Sequence, residues 1–221
     1  MKRLLVLAFL WCCALPCSAQ TGARLQVPLF EADTSQGPEL QPWGRAAEAL
    51  CTTWYGRIVT ILKSNDNERR LPPVVRIVFE KDMKGVAHVA GTTMHIAADW
   101  VKANPNDFGM VIHELTHLVQ RYPNYRASWL VEGIADYVRA KYFEPQLKLP
   151  RIDFSKAKYT DFYKTTAAFL TWAETKYNPN LVRTLHAALR QNTYTDELFK
   201  TATGHDVASL WNEFAALNAV K

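Results

Sequence analysis

The sequence predicts one α+β domain in which many helices surround a small sheet. Three observations carry that reading. Apolar residues recur at three- and four-residue steps over most of the chain, the mark of amphipathic helices. β-Branched runs are confined to a short central region, "VVRIVFE" and "TTMHIA". The 221 residues are 48% apolar and 12% aromatic, enough to build one ordinary core and too apolar for general disorder.

The first twenty residues, "MKRLLVLAFLWCCALPCSAQ", have the grammar of an export signal. Lys2 and Arg3 form a basic head, Leu4 to Leu15 an apolar run too short to span a bilayer, and "CSA" a cleavage site before Gln20. Residues 1–19 are therefore expected to be a signal peptide, and the mature protein to be secreted or periplasmic, with no membrane attachment. Lipid anchoring through Cys17 is the alternative, and Pro16 beside it counts against it. Without Lys2 and Arg3 the 26 basic residues become 24 against 21 acids, a net charge of +3. There is no basic block of the kind that binds nucleic acid. Cys12, Cys13 and Cys17 leave with the leader, so Cys51 stands alone and reads as a core thiol.

Residues 20–41, rich in Gln, Pro, Gly and Ser/Thr, read as a flexible lead-in, and 42–221 as a single domain. From Trp43 to Lys63 the positions Ala46, Ala47, Leu50, Trp54, Ile58, Ile61 and Leu62 line one helical face. Pro72 and Pro73 force an extended exit. A strand is expected at 74–80 and a second from Thr92 to Ala97. Helices are expected at 107–121, with Asp107 as cap, and at 129–143 after Ser128. Four more are expected at 161–177, 180–191, 195–202 and 206–219, the last capped by Asp206.

The stretch "VIHELTHLVQ" places His113 and His117 one helical turn apart, so both imidazoles can face one metal ion. Glu114 is offset around the helix and suits a general base on a water beside that ion. A catalytic zinc wants a third protein ligand. Gln120 and Pro123 exclude the metzincin pattern. "EGIAD" instead supplies Glu132 and Asp136, the spacing of a gluzincin: Glu132 as ligand and Asp136 accepting the free N–H of a ligand histidine. The exchanged roles are the alternative. Gly133 would let the two helices approach closely.

The stretches "HELTHLVQ", "WLVEGIADYVR", "YTDFYKTTAAFLTW" and "GHDVASLWNEF", in that order, resemble the basic secretory protein family of plant and bacterial peptidases. The similarity runs from about Leu25 to the C-terminus. The resemblance implies a helix-rich, zincin-like metallopeptidase domain of gluzincin type holding one Zn2+ per chain. It carries over His113, Glu114, His117, Glu132 and Asp136.

Such peptidases bind substrate along an exposed sheet edge. The strand before the zinc helix is the candidate edge, with Gly91, Thr92, Thr93 and Met94 as substrate contacts. His95 and His88 read as strand and loop residues, His186 and His205 as surface or packing residues. The group that steadies the developing oxyanion is expected to be Tyr163, with Tyr159 second, by analogy with aminopeptidases of the same class. The function expected is a zinc peptidase acting on peptides or proteins, an endopeptidase in preference to an aminopeptidase, since Glu80, Asp82 and Asp99 stand in no motif that would hold an α-ammonium. A non-catalytic zinc-binding protein and a zinc amidase of cell-wall peptide are the alternatives.

Overall fold

The computed structural model describes residues 25–64, 70–146 and 151–218. The expected signal peptide lies outside them. Among the described residues there are eight α-helices and a mixed four-stranded sheet of order β1-β2-β4-β3. The strands are β1 (Leu29–Asp33), β2 (Val74–Glu80), β3 (Ala87–Ala90) and β4 (Thr93–Ala97). β2 pairs in parallel with both β1 and β4, and β3 closes the far side antiparallel to β4. α1 (Gln41–Leu62) crosses over between β1 and β2.

One face of the sheet is the core. Val75, Ile77 and Phe79 of β2 alternate inward beside Met94 and Ile96 of β4, as period-two strands require. α1 buries Ala47, Cys51, Tyr55, Ile58 and Leu62 within the same core. Cys51 is fully buried, as expected, and burial pushes its thiol far up.

Two expectations about strands are corrected. Residues 29–33, expected inside an irregular lead-in, form β1. Its order comes from pairing with β2 and from α1, whose Glu48 Oε1 accepts the Ala32 N–H at 2.6 Å. The strand before the metal helix is not an edge: β4 lies between β2 and β3, and Met94 is fully buried. The edge on this side of the sheet is β3, read as a loop because "AHVA" is short and weakly β-forming. Gly91 and Thr92 make the two-residue turn joining β3 to β4, Gly91 supplying the positive φ of 62° there.

Behind β4 come α2 (Ala98–Ala103) and α3 (Gly109–Gln120), then α4 (Ser128–Val138), which runs into one π-helical stretch, Arg139–Phe143. Asp107 does cap α3, its Oδ1 accepting the Met110 N–H at 3.3 Å. The chain ends in α5 (Tyr163–Lys176), α6 (Leu181–Gln191), α7 (Glu197–Thr203) and α8 (Val207–Asn218). Asp206 accepts the Ser209 N–H at 2.8 Å and so caps α8. No helix among the described residues is long and apolar enough to cross a membrane.

Gly133 has a different neighbour from the one expected. A Cβ at this position would fall 2.1 Å from Thr166 Cγ2 of α5. The close approach it permits is therefore between α4 and α5, not between α4 and α3. That approach fixes where α5 begins, and α5 begins at Tyr163.

Candidate metal centre

Every residue of α3 except His117 is buried, because the helix packs between α1 and α4 with β3 alongside. The two histidines share the one partly open side. His113 Nε2 lies 3.1 Å from His117 Nε2 and 3.0 Å from Glu132 Oε2, and His117 Nε2 lies 3.5 Å from the same carboxylate oxygen. These residues form the one group among the described residues whose ligand atoms all fall within 4.8 Å of one another in a manner suited to a metal ion.

The outward ring nitrogens are held from behind. His113 Nδ1 is 2.7 Å from Asp136 Oδ1, and His117 Nδ1 is 2.7 Å from Gln120 Oε1. Both Nδ1 atoms thus face acceptors, and both Nε2 atoms face the Glu132 oxygen. Of the two assignments for the acidic residues, the geometry matches Glu132 beside the Nε2 atoms and Asp136 behind His113. Gln120 entered the sequence reading only as a reason against a metzincin. Its position three residues after His117, on the same helical face, was the available signal.

The electrostatics fit a cation. Burial opposes charge on His113, but the hydrogen bonds its ring donates to Asp136 and Glu132 outweigh it and raise its pKa to about 10. Burial would raise the Glu132 carboxyl, yet its bonds to His113 and His117 prevail and lower it to about 2. A field this negative favours positive charge between the side chains. Two imidazole nitrogens and one carboxylate oxygen are a donor set suited to a divalent transition metal.

Glu114 is buried beside this cluster, and its Oε2 has no hydrogen-bond partner among the described residues. Burial raises its carboxyl pKa, with His113 and His117 pulling the other way. An unpartnered buried carboxylate oxygen is costly and is typical of a site built to meet a ligand or water.

The cluster opens into a cavity of about 900 Å³. Edge strand β3 and the residues before it, Gly85 to Val89, form one wall. Trp100, Asp107, Met110 and Arg139 lie at the N-terminal end of α3, while Tyr125, beyond its C-terminal end, also lines the space. Gly91, Thr92, Thr93 and Met94 are not in the lining, whereas Ala87, His88 and Val89 of β3 are. His88 lines the cavity and stacks on His95 at 4.8 Å, which is itself held by Glu80 at 2.6 Å.

Tyr163 and Tyr159 are separated by the fold. Tyr163 lines the cavity, its ring 6.0 Å from that of His113, whereas Tyr159 packs edge-on against Trp129 at 5.0 Å. Phe162 and Tyr163 both have positive φ, 62° and 46°. Such strain in non-glycine residues costs on the order of 1–3 kcal/mol each and persists where surrounding packing over-determines it. Here the Gly133–Thr166 contact and the Thr166 hydroxyl, donating to the Tyr159 carbonyl at 2.8 Å, hold the segment in place.

Comparison with curated proteins finds no match, and comparison with solved structures finds none. The model of the family described as "Peptidase of plants and bacteria" matches residues 43–214, from the first turn of α1 to the core of α8. That span takes in His113, His117 and Glu132, the cavity walls and the buried supports of the two histidines, and the chain belongs to this peptidase family.

Proposed function

We propose that the protein is an exported zinc peptidase of zincin-like, gluzincin type that cleaves within peptide chains, with Glu114 as general base. The observation that carries this reading is the pairing of a two-histidine, one-carboxylate cluster with the unpartnered, buried Glu114 oxygen beside it. Zinc, when bound, would be held by His113, His117 and Glu132, and would supply Lewis acidity to the scissile carbonyl and to the attacking water.

The chain's own groups do the rest. β3, the terminal strand of the sheet along the cavity wall, accepts an extended peptide as an added strand. Glu114, its proton affinity raised by burial, takes a proton from the attacking water and passes it to the departing amine as the C–N bond breaks. The Tyr163 hydroxyl, at the cavity rim, donates to the carbonyl oxygen as negative charge builds there. Glu80, Asp82 and Asp99 lie outside the cavity lining, which leaves none of these three to hold a substrate's α-ammonium. The leader grammar of residues 1–19 supports export.

Glu114→Gln should lower peptide cleavage by about 10²–10⁴-fold, the usual worth of a positioned base, while the purified variant keeps its metal. Casein and end-blocked peptides are suitable substrates, with a chelator as control. Cleavage by the variant at the wild-type rate would remove Glu114 from the chemistry.

A further inference from the structure

Gln120 is 1% exposed at the last position of α3, and both ends of its amide are used. Its Nε2 donates to the Val131 carbonyl at 2.9 Å, and its Oε1 accepts from His117 Nδ1 at 2.7 Å. The amide orientation follows from chemistry. A backbone carbonyl only accepts, so the NH2 end must face Val131 and the oxygen must face His117. His117 Nδ1 must then carry the proton, and Nε2 presents its lone pair toward His113 and Glu132.

The second arm reaches the neighbouring helix. Val131 precedes Glu132 in α4, so one buried side chain ties the helix bearing two ligands to the turn bearing the third. His113 has a carboxylate behind it in Asp136, and His117 has a neutral amide. With Glu114, Glu132 and Asp136 already crowded round the cluster, an amide orients the imidazole without adding a further buried negative charge.

We propose that Gln120 is a positioning residue that sets the metal affinity of the cluster, holding His117 in its metal-presenting tautomer and registering Glu132 against it. The inference rests on the metal-binding reading of the site and adds to it a determinant outside the ligand set.

The test uses the full chain and two substitutions. Gln120→Met keeps the volume and loses both polar arms. Gln120→Glu keeps the acceptor facing His117 and loses the donor to Val131. Zinc affinity is measured by competition with a chromophoric chelator, and stability of the metal-free protein by urea unfolding. Gln120→Met should bind zinc about 10–100-fold more weakly, the usual effect of losing such a support. Gln120→Glu should recover most of that loss while being the less stable of the two variants without metal. A merely structural role predicts one order in both measurements. Gln120→Met binding as tightly as wild type, or Gln120→Glu no tighter than Gln120→Met, overturns the inference. Absence of zinc binding in the wild-type chain would instead overturn the proposed function, and this inference with it.

Discussion

Two buried histidines in this molecule have opposite chemistry. His113, in α3, and His186, in α6, are 7% and 1% exposed, and each has both ring nitrogens hydrogen-bonded. The partners of His113 are carboxylates, Asp136 and Glu132, and its pKa is raised to about 10. Those of His186 are neutral, Ser64 Oγ at 2.7 Å and Tyr122 Oη at 2.8 Å, and burial together with nearby Arg190 lowers its pKa to about 3. Burial penalises charge at both sites. The partner's charge decides whether the result is a place for cations or an uncharged joint between helices.

The largest test of this contrast is acid titration. A histidine at 6.5 when unfolded and about 3 when folded binds its proton more readily in the unfolded chain. Stability attributable to His186 is therefore intact above pH 6.5 and is lost as pH falls from there toward 3, by up to about 1.4 kcal/mol per pH unit. Urea melts between pH 7 and 4 should show a shallower acid limb in His186→Gln than in wild type. Identical limbs would show that His186 takes up its proton without cost.

Next comes Asp136→Asn, which puts a neutral group behind His113. Zinc affinity should fall by about 10–100-fold, as followed by chelator competition. An unchanged affinity would mean that the carboxylate behind His113 is irrelevant to a cation. The smallest effect on zinc is expected from Tyr122→Phe. It removes one neutral partner of His186 at a cost of about 1–3 kcal/mol for the buried nitrogen left unmet. Zinc affinity should not change, and a parallel loss of zinc would show that the two regions are not independent.

The metal helix was legible because its signal is local. His113, Glu114 and His117 are fixed relative to one another by helical geometry alone, and apolar neighbours on several faces announce a buried helix. Helix limits agree with the expectations within a few residues where Pro, Gly or Asp206 punctuates the chain. The largest discrepancy is α2, a six-residue helix that was not expected, while at α4 the expected helix ends in the π-helical turn Arg139–Phe143. β1 and β3 were not legible. Both are four- or five-residue strands whose order comes from partners elsewhere in the chain. The edge strand near the cavity was misplaced for the same reason, since strand position within a sheet is written in pairing and not in any one segment.

The amino-acid sequence by itself determined the helix-rich architecture, the one-turn spacing of His113 and His117, and the place of Glu114 beside them, because helical periodicity acts within one turn. Tertiary structure decided the rest: β3 as the free edge, Tyr163 over Tyr159 at the cavity, Gln120 behind His117, and the opposite characters of His113 and His186. Each depends on groups brought together from distant parts of the chain, and the charge or hydrogen bond a side chain meets there is set by packing, which no local pattern records.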